Sequence, residues 1–272
     1  MTAISLLGIP NDDNSSYLKG PSEAPAPIRR ELFSDAYSSW SETGFDLDGA
    51  IVDHGDIAFD GAADAWELIE QGVASALDAG HPLICLGGDH AITHPIVRAV
   101  RRRSPRLTIL HIDAHPDIYH AYQGNPRSHT SPFARIMEEG LADRLIQVGL
   151  RTVNDHHREQ FARFGVETIA AGRFADALQL DIAGPVYLSM DIDALDPAYA
   201  PGVSHREPGG LSPRQVIDLI QSLRAPIVAA DIVEYNPRRD FDGMTATVAA
   251  KLLKEIGGMM LKNGEHVRPA IA

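Results

Sequence analysis

The sequence holds one cysteine, Cys85, among 272 residues, so an intrachain disulfide is excluded. Cys85 sits inside the apolar run PLICLGG and reads as a buried core thiol rather than a reactive one. No apolar stretch approaches the ~18–20 residues that span a bilayer. Positive charge is also short: 24 Lys and Arg stand against 37 Asp and Glu, a formal net charge of -13. Such a balance argues against DNA, RNA and anionic membrane surfaces as partners, and is compatible with a cationic substrate. The N-terminal MTAISLLGIPNDDN lacks a basic region, and its apolar run is too short for a signal peptide. A reducing cytoplasm is therefore the expected location.

Nothing breaks the chain into parts. No internal repeat, low-complexity tract or composition shift is present, and GPSEAPAPIRRE (20–31) reads as a turn leading into a helix. One domain over residues 1–272 is expected. Short apolar runs alternate with helical patterns throughout. The runs place strands at Ile4–Ile9, Leu83–Leu86, Leu107–Ile112, Leu145–Val148, Val186–Asp191 and Ile227–Ile232. Trp66, Ile69, Val73 and Leu77 recur at helical spacing within 62–79, as do Val216, Leu219, Ile220 and Leu223 after LSPRQ. The second of these helices opens on Ser212 as N-cap, Pro213 at its first position and Gln215 closing a capping box. This alternation, with strands apolar on both faces, predicts an α/β fold: a mainly parallel sheet covered by helices.

The ends of four of these strands carry polar clusters. HIDAHPDIY (111–119) puts Asp113, His115 and Asp117 at every second position, and alternate side chains of an extended segment point the same way. ICLGGDH ends in Asp89 and His90 after a glycine turn, VYLSMDIDALDP carries Asp191 and Asp193 with Asp196 following, and IVAADIVEYNP ends in Asp231 and Glu234. An open parallel sheet forms its ligand sites outside the carboxyl ends of its strands. Singly, each Asp reads as a turn former or helix cap, and lone histidines such as His54, His81 and His94 read as structural or solvated. Their coincidence at four strand ends points to a site. Four converging carboxylates repel one another unless cations intervene. His90, Asp113, His115, Asp117, Asp191 and Asp193 exceed one closed site and suffice for two divalent ions sharing bridging carboxylates. Carboxylates with two imidazoles suit Mn²⁺ best, with Fe²⁺, Co²⁺, Ni²⁺ and Zn²⁺ open and Mg²⁺ disfavoured by the histidines. Residues 115–132 form the longest stretch without periodicity, and a loop of that length inside a compact domain is a functional candidate.

GGDH, DAHPD and SMDIDALDPAYAPGV resemble the metal-binding motifs of the ureohydrolase family, which includes arginases and agmatinases. The resemblance continues through SLLGIPNDDNSSYLKGP, QGNPRSHTSPFARIMEEG, GVSHREPGGLS and DIVEYNPRRDFDGMTATVAAKL. In that fuller form it is most like the plant-type arginases, without the N-terminal extension those carry, in keeping with the cytoplasmic expectation. It implies a three-layer α/β/α fold, a two-manganese centre, a homo-trimer or homo-hexamer, and hydrolysis of a guanidino group to release urea. It implies that the six residues above are the ligands. Asp117 and His129 are implied as catalytic residues, and Glu234 as the carboxylate that holds the guanidinium. The chemistry agrees: guanidinium carbon is a poor electrophile, and a metal-activated water supplies hydroxide at neutral pH. Glu234 would pair with the planar cation in a bidentate way, and His129 would protonate the leaving amine. Asn125, Ser128 and Asn154 are candidate contacts for the substrate's tail, and Arg127 could attract a carboxylate. Arginine is the first choice of substrate, with agmatine or another guanidino acid such as guanidinobutyrate as alternatives. A single-zinc amide deacetylase of the same fold is a minor alternative, disfavoured by six intact ligands. A non-enzymatic metal-binding role is disfavoured by the presence of both His129 and Glu234.

Overall fold

The computed structural model describes residues 3–59, 61 and 63–266, the side chains of 264–266 excepted. The ends of the expected 1–272 domain, and residue 62 of the expected helical segment, lie outside these. Among the described residues eight strands build one sheet: β1 (Ile4–Gly8), β2 (Ile51–Asp56), β3 (Leu83–Leu86), β4 (Thr108–Ile112), β5 (Arg144–Leu150), β6 (Glu167–Ala170), β7 (Val186–Asp191) and β8 (Ile227–Val233). Their order is β2-β1-β3-β8-β7-β4-β5-β6, and every pairing is parallel. The helices are α1 (Pro25–Leu32), α2 (Ala65–Leu77), α3 (Thr93–Arg101), α4 (Pro132–Glu138), α5 (Asp155–Phe164), α6 (Pro213–Ser222) and α7 (Met244–His266).

A parallel pair needs a crossover, and the crossovers here cover both faces of the sheet. Successive strand residues therefore feed two cores. Ile84 and Leu86 of β3 pack with Ile28 of α1, Val216 of α6 and Leu253 of α7. Leu83 and Cys85 pack on the other side with Val73 of α2, Val97 of α3 and Phe133 of α4. The result is a three-layer α/β/α fold. Cys85 is fully buried, and burial pushes its thiol pKa up, as expected of a core thiol.

The six expected strands are β1, β3, β4, β5, β7 and β8, with ends shifted by a residue or two. β2 and β6 have no counterpart in the apolar pattern because they are the sheet's two edges. Both are largely exposed, so their side chains need not be apolar. The start of α6 is as expected: Ser212 Oγ accepts from Gln215 N–H, and Gln215 Oε1 accepts from Ser212 N–H at 2.9 Å. Asp64, ahead of α2, accepts from Trp66 N–H at 2.9 Å and is its N-cap.

Candidate metal centre and active site

The four strands whose ends carry the polar clusters, β3, β8, β7 and β4, are adjacent in the middle of the sheet. After β3 the chain turns through Gly87 and Gly88. A Cβ on Gly88 would lie 1.6 Å from the Asn11 carbonyl oxygen, so only glycine lets the two backbones pass. Asp89 N–H then bonds to that carbonyl at 3.0 Å, and His90 is delivered over the sheet. After β4, Asp113 N–H stays in the ladder by donating to Val148 O at 3.0 Å. Asp117 and Glu234 both have left-handed backbones, φ 43° and 61°. Residues without glycine's freedom hold that conformation only where their surroundings enforce it, commonly at functional sites.

The ring of His90 and three carboxylates converge. His90 Nδ1 lies 3.3 Å from Asp113 Oδ2, 3.0 Å from Asp117 Oδ2 and 3.2 Å from Asp191 Oδ2. A second group adjoins it: His115 Nδ1 is 3.1 Å from Asp193 Oδ2 and 3.5 Å from Asp113 Oδ1. Within each group the donor atoms lie within 4.8 Å of one another, and Asp113 belongs to both.

Whether these residues suit a metal can be judged from their own bonding. Asp231 accepts from Thr93 Oγ1 (2.7 Å), Tyr187 OH and Ser189 Oγ (2.8 Å). Ser189 Oγ, having given its proton to Asp231, must accept at 2.9 Å from His90 Nε2–H. That leaves His90 Nδ1 as a bare, fully buried nitrogen without a hydrogen bond among the described residues, facing three carboxylates. Burial and mutual repulsion push Asp191 well above the usual carboxylate range and Asp193 up to about 7. Though burial opposes it, His115 is driven well up by Asp193 and Asp113. The cluster is short of positive charge, and a divalent cation in each group relieves it; the donor set fits.

Of these residues His115, Asp117, Asp191 and Asp193 floor a cavity of 390 Å³ lined also by Ser16, Tyr119, Tyr122, His129, Asn154, His157, His205 and Glu234. His129 Nδ1 donates to Glu234 Oε1 at 2.8 Å, and its Nε2 is 2.8 Å from Ser16 Oγ. Burial disfavours the imidazolium, but the charge and hydrogen bond of Glu234 outweigh it and raise His129 to about 9. Glu234 is held below its ordinary value: burial opposes this, and His129 and the His90 N–H more than offset it. Glu234 Oε1 also accepts from His90 N–H at 3.0 Å, so that oxygen has two donors. Oε2 has no hydrogen bond among the described residues. The expected bidentate clamp is thus half occupied by His129 in this state.

The other candidates fall in different places. Asn154 lines the cavity, caps α5 by accepting from His157 N–H at 3.0 Å, and donates to Tyr119 OH at 2.6 Å. Asn125 and Ser128 do not line it; Asn125 Nδ2 donates to Asn14 Oδ1 and Ser128 Oγ pairs with Thr130 Oγ1. Arg127 lies away from the cavity, bonded to Asp64 at 2.8 Å and stacked 4.6 Å over Trp66. Asp89 turns from the cluster to accept from Asn14 N–H and Ser15 Oγ, and burial with the nearby Glu234 raises it to about 7. Asp196 is a turn former, accepting from Ala198, Gly209 and Gly210 N–H.

Sequence reasoning passed over His111, Gln147, Ser189 and His205. His111 Nε2 is 2.7 Å from Asp113 Oδ2. His205 stacks on His129, ring centroids 5.5 Å apart. His111 and Ser189 stand two residues before Asp113 and Asp191, so the same two-residue alternation, taken one step back into each strand, points to both.

The arginase family model matches residues 2–258. Arginase 1, mitochondrial, of Arabidopsis thaliana is 45% identical over 279 residues, covering 95% of this chain and 81% of the relative. Guanidinopropionase of Pseudomonas aeruginosa is 34% identical over 276 residues, covering 93% and 85%. Among solved structures, arginase from Medicago truncatula superposes with a TM-score of 0.90 at 42% identity, covering 95% of this chain and 87% of that one. The cytoplasmic expectation is corrected here. Plant relatives at 43–45% identity are named as mitochondrial, one of them as chloroplastic/mitochondrial. That expectation rested on what the N-terminus lacks, and neither the core nor the site carries a signal of compartment.

Proposed function

The chain belongs to the arginase family of ureohydrolases, and from that premise we propose that it hydrolyses L-arginine to L-ornithine and urea. We propose two Mn²⁺ ions as its cofactor, one that His90, Asp113, Asp117 and Asp191 would hold, the other Asp113, His115 and Asp193. The observation that carries this reading is that two donor groups sharing Asp113 adjoin the same cavity as the Glu234–His129 pair. When bound, the ions supply Lewis acidity and a hydroxide nucleophile near neutral pH. The rest of the work falls to side chains. Glu234 Oε2 accepts a guanidinium N–H and holds its carbon at the cavity floor. Asp117, which lines the cavity, accepts a hydrogen bond from the attacking water. His129, kept protonated by Glu234, gives its proton to the leaving amine. Asn154 is the tail contact supported by position, since it lines the cavity.

One observation favours a second substrate. Among the described residues no lysine or arginine lines the cavity, so no such side chain awaits an α-carboxylate, and agmatine, which has none, fits equally well. Urea release by Mn²⁺-loaded protein, with L-arginine and agmatine side by side and Asp113→Ala as control, decides. Turnover of arginine, lost in the control, supports the reading. Turnover of agmatine alone transfers the assignment, and release from neither refutes both. One folding unit and a trimeric or hexameric assembly complete the proposal; a single unfolding transition and a light-scattering mass test them.

A further inference from the structure

The register of the sheet sets a row of polar residues beneath the metal cluster. Gln147 of β5 is the direct partner of His111 in β4, His111 of Ser189 in β7, and Ser189 of Asp231 in β8. All four are fully buried, where an unsatisfied polar group is costly, so their bonding is determined by what each can give or accept. At the Gln147 end the reasoning closes. Gln147 Nε2 is 2.6 Å from Pro116 O, and a carbonyl oxygen only accepts. The amide is therefore oriented NH₂ toward Pro116, although this leaves Gln147 Oε1 buried without a partner among the described residues. The second hydrogen on the same nitrogen points at His111 Nδ1, 3.0 Å away, which must be an acceptor. The ring's proton is then on Nε2, which donates at 2.7 Å to Asp113 Oδ2. Phe133 holds the ring plane from one side, centroids 4.0 Å apart.

We infer that Gln147 and His111 are positioning residues for the metal centre: Gln147 sets the tautomer of His111, and His111 Nε2–H aims the one carboxylate that both donor groups share. The inference rests on the reading of Asp113 as a metal ligand. Its consequence is specific to the donated proton, because a ring that merely filled space would be replaceable by any aromatic of that size.

The wild-type protein supplies the first test. Long-range ¹H–¹⁵N correlations of the metal-free protein, with the His111 signals assigned by their loss in His111→Gln, are expected to show a neutral ring protonated on Nε2. Protonation on Nδ1 overturns the inference. Calorimetric Mn²⁺ binding supplies the second. His111→Gln places an amide donor where Nε2–H stood and binds within about threefold of wild type. His111→Phe keeps the packing on Phe133 without the donor, and Gln147→Met frees the tautomer; both bind about 10–100-fold more weakly. A space-filling role predicts the reverse order, so His111→Phe binding as tightly as His111→Gln overturns the inference. Should His111→Phe not fold, wild-type affinity in Gln147→Met overturns it equally. Asp113→Ala separates the layers. Wild-type metal binding in that variant refutes the ligand assignment beneath, whereas metal loss there with wild-type binding in Gln147→Met and His111→Phe refutes the relay alone.

Discussion

Glu234→Gln removes the charge that faces an incoming guanidinium while keeping the size and most of the packing of the side chain. The magnitude follows from how the carboxylate is used. Two donors, His90 N–H at 3.0 Å and His129 Nδ1–H at 2.8 Å, already occupy Oε1, which leaves Oε2 for the substrate. A hydrogen bond between charged partners contributes about 1.5–3 kcal/mol against about 1 kcal/mol for a neutral one. With one such bond open rather than two, the loss is about 0.5–2 kcal/mol from binding, or roughly 2–30-fold in KM. A second loss reaches kcat. Without the Glu234 charge His129 no longer gains the support that lifts it to about 9, and fewer molecules carry the proton for the leaving amine at pH 8–9. Steady-state urea release from the favoured substrate at pH 7 and pH 9, for wild type and Glu234→Gln, reads both. The expected pattern is a raised KM at both pH values and a kcat deficit larger at pH 9. An unchanged KM places the guanidinium elsewhere, and a kcat deficit independent of pH refutes the proton role of His129.

Acidification tests a group outside the cavity. Burial against Trp66 outweighs Glu139 and lowers His94 to about 4, so the folded chain resists a proton that the unfolded chain takes up. Stability from this residue is full above about pH 6.5 and falls as pH drops toward 4, by about 2 kcal/mol between pH 7.5 and 5. His94→Gln lacks that slope, and equal acid losses of denaturation free energy in both proteins would count against the assignment. Gly88→Ala drives a Cβ into the Asn11 carbonyl and costs about 3 kcal/mol or more, with weakened metal binding because His90 is two residues on; wild-type stability would show that the two backbones can separate. Metal at about 100 times its dissociation constant adds about 2.7 kcal/mol of stability, which for a chain of this size raises Tm by roughly 5–10 °C. Calorimetry with Mn²⁺ and with excess chelator checks this, and coincident melting curves would refute a folded-state site.

How much of this was legible in the sequence depends on which force shaped each part. The six inner strands were readable because both of their faces are buried, and a continuous apolar run is the only composition that satisfies two cores. β2 and β6 were not, since one exposed edge leaves polar side chains such as Asp53 and Glu167 free to serve Arg29 and Arg144 instead. The candidate ligands other than His90 showed through their two-residue spacing, which is local. The direction of Arg127 did not, because its pairing with Asp64 spans 63 residues of chain. The same holds for the union of Glu234 with His129, 105 residues apart. Register carries Gln147 to His111, and register is settled by neighbouring strands rather than by either residue.

The precision of the site is a property of the sheet more than of its loops. Neighbouring strands run about 4.8 Å apart, so side chains leaving adjacent strand ends meet without long reach, and each loop has only to aim them. The aiming is visible where it is strained. Asp117 and Glu234 hold left-handed backbones that cost about 1–3 kcal/mol each in isolation. Each is pinned by main-chain bonds, Phe133 N–H to Asp117 O and Glu234 N–H to Gly88 O at 3.0 Å. Glu234 is therefore tied to the same turn that delivers His90, which couples the carboxylate proposed to face the substrate to the imidazole proposed to face the metal. Asp117 is fixed likewise to the start of α4, whose Phe133 packs against the rings of both His90 and His111. Two strained residues, one turn and one aromatic ring thus link the proposed substrate carboxylate to the proposed metal ligands.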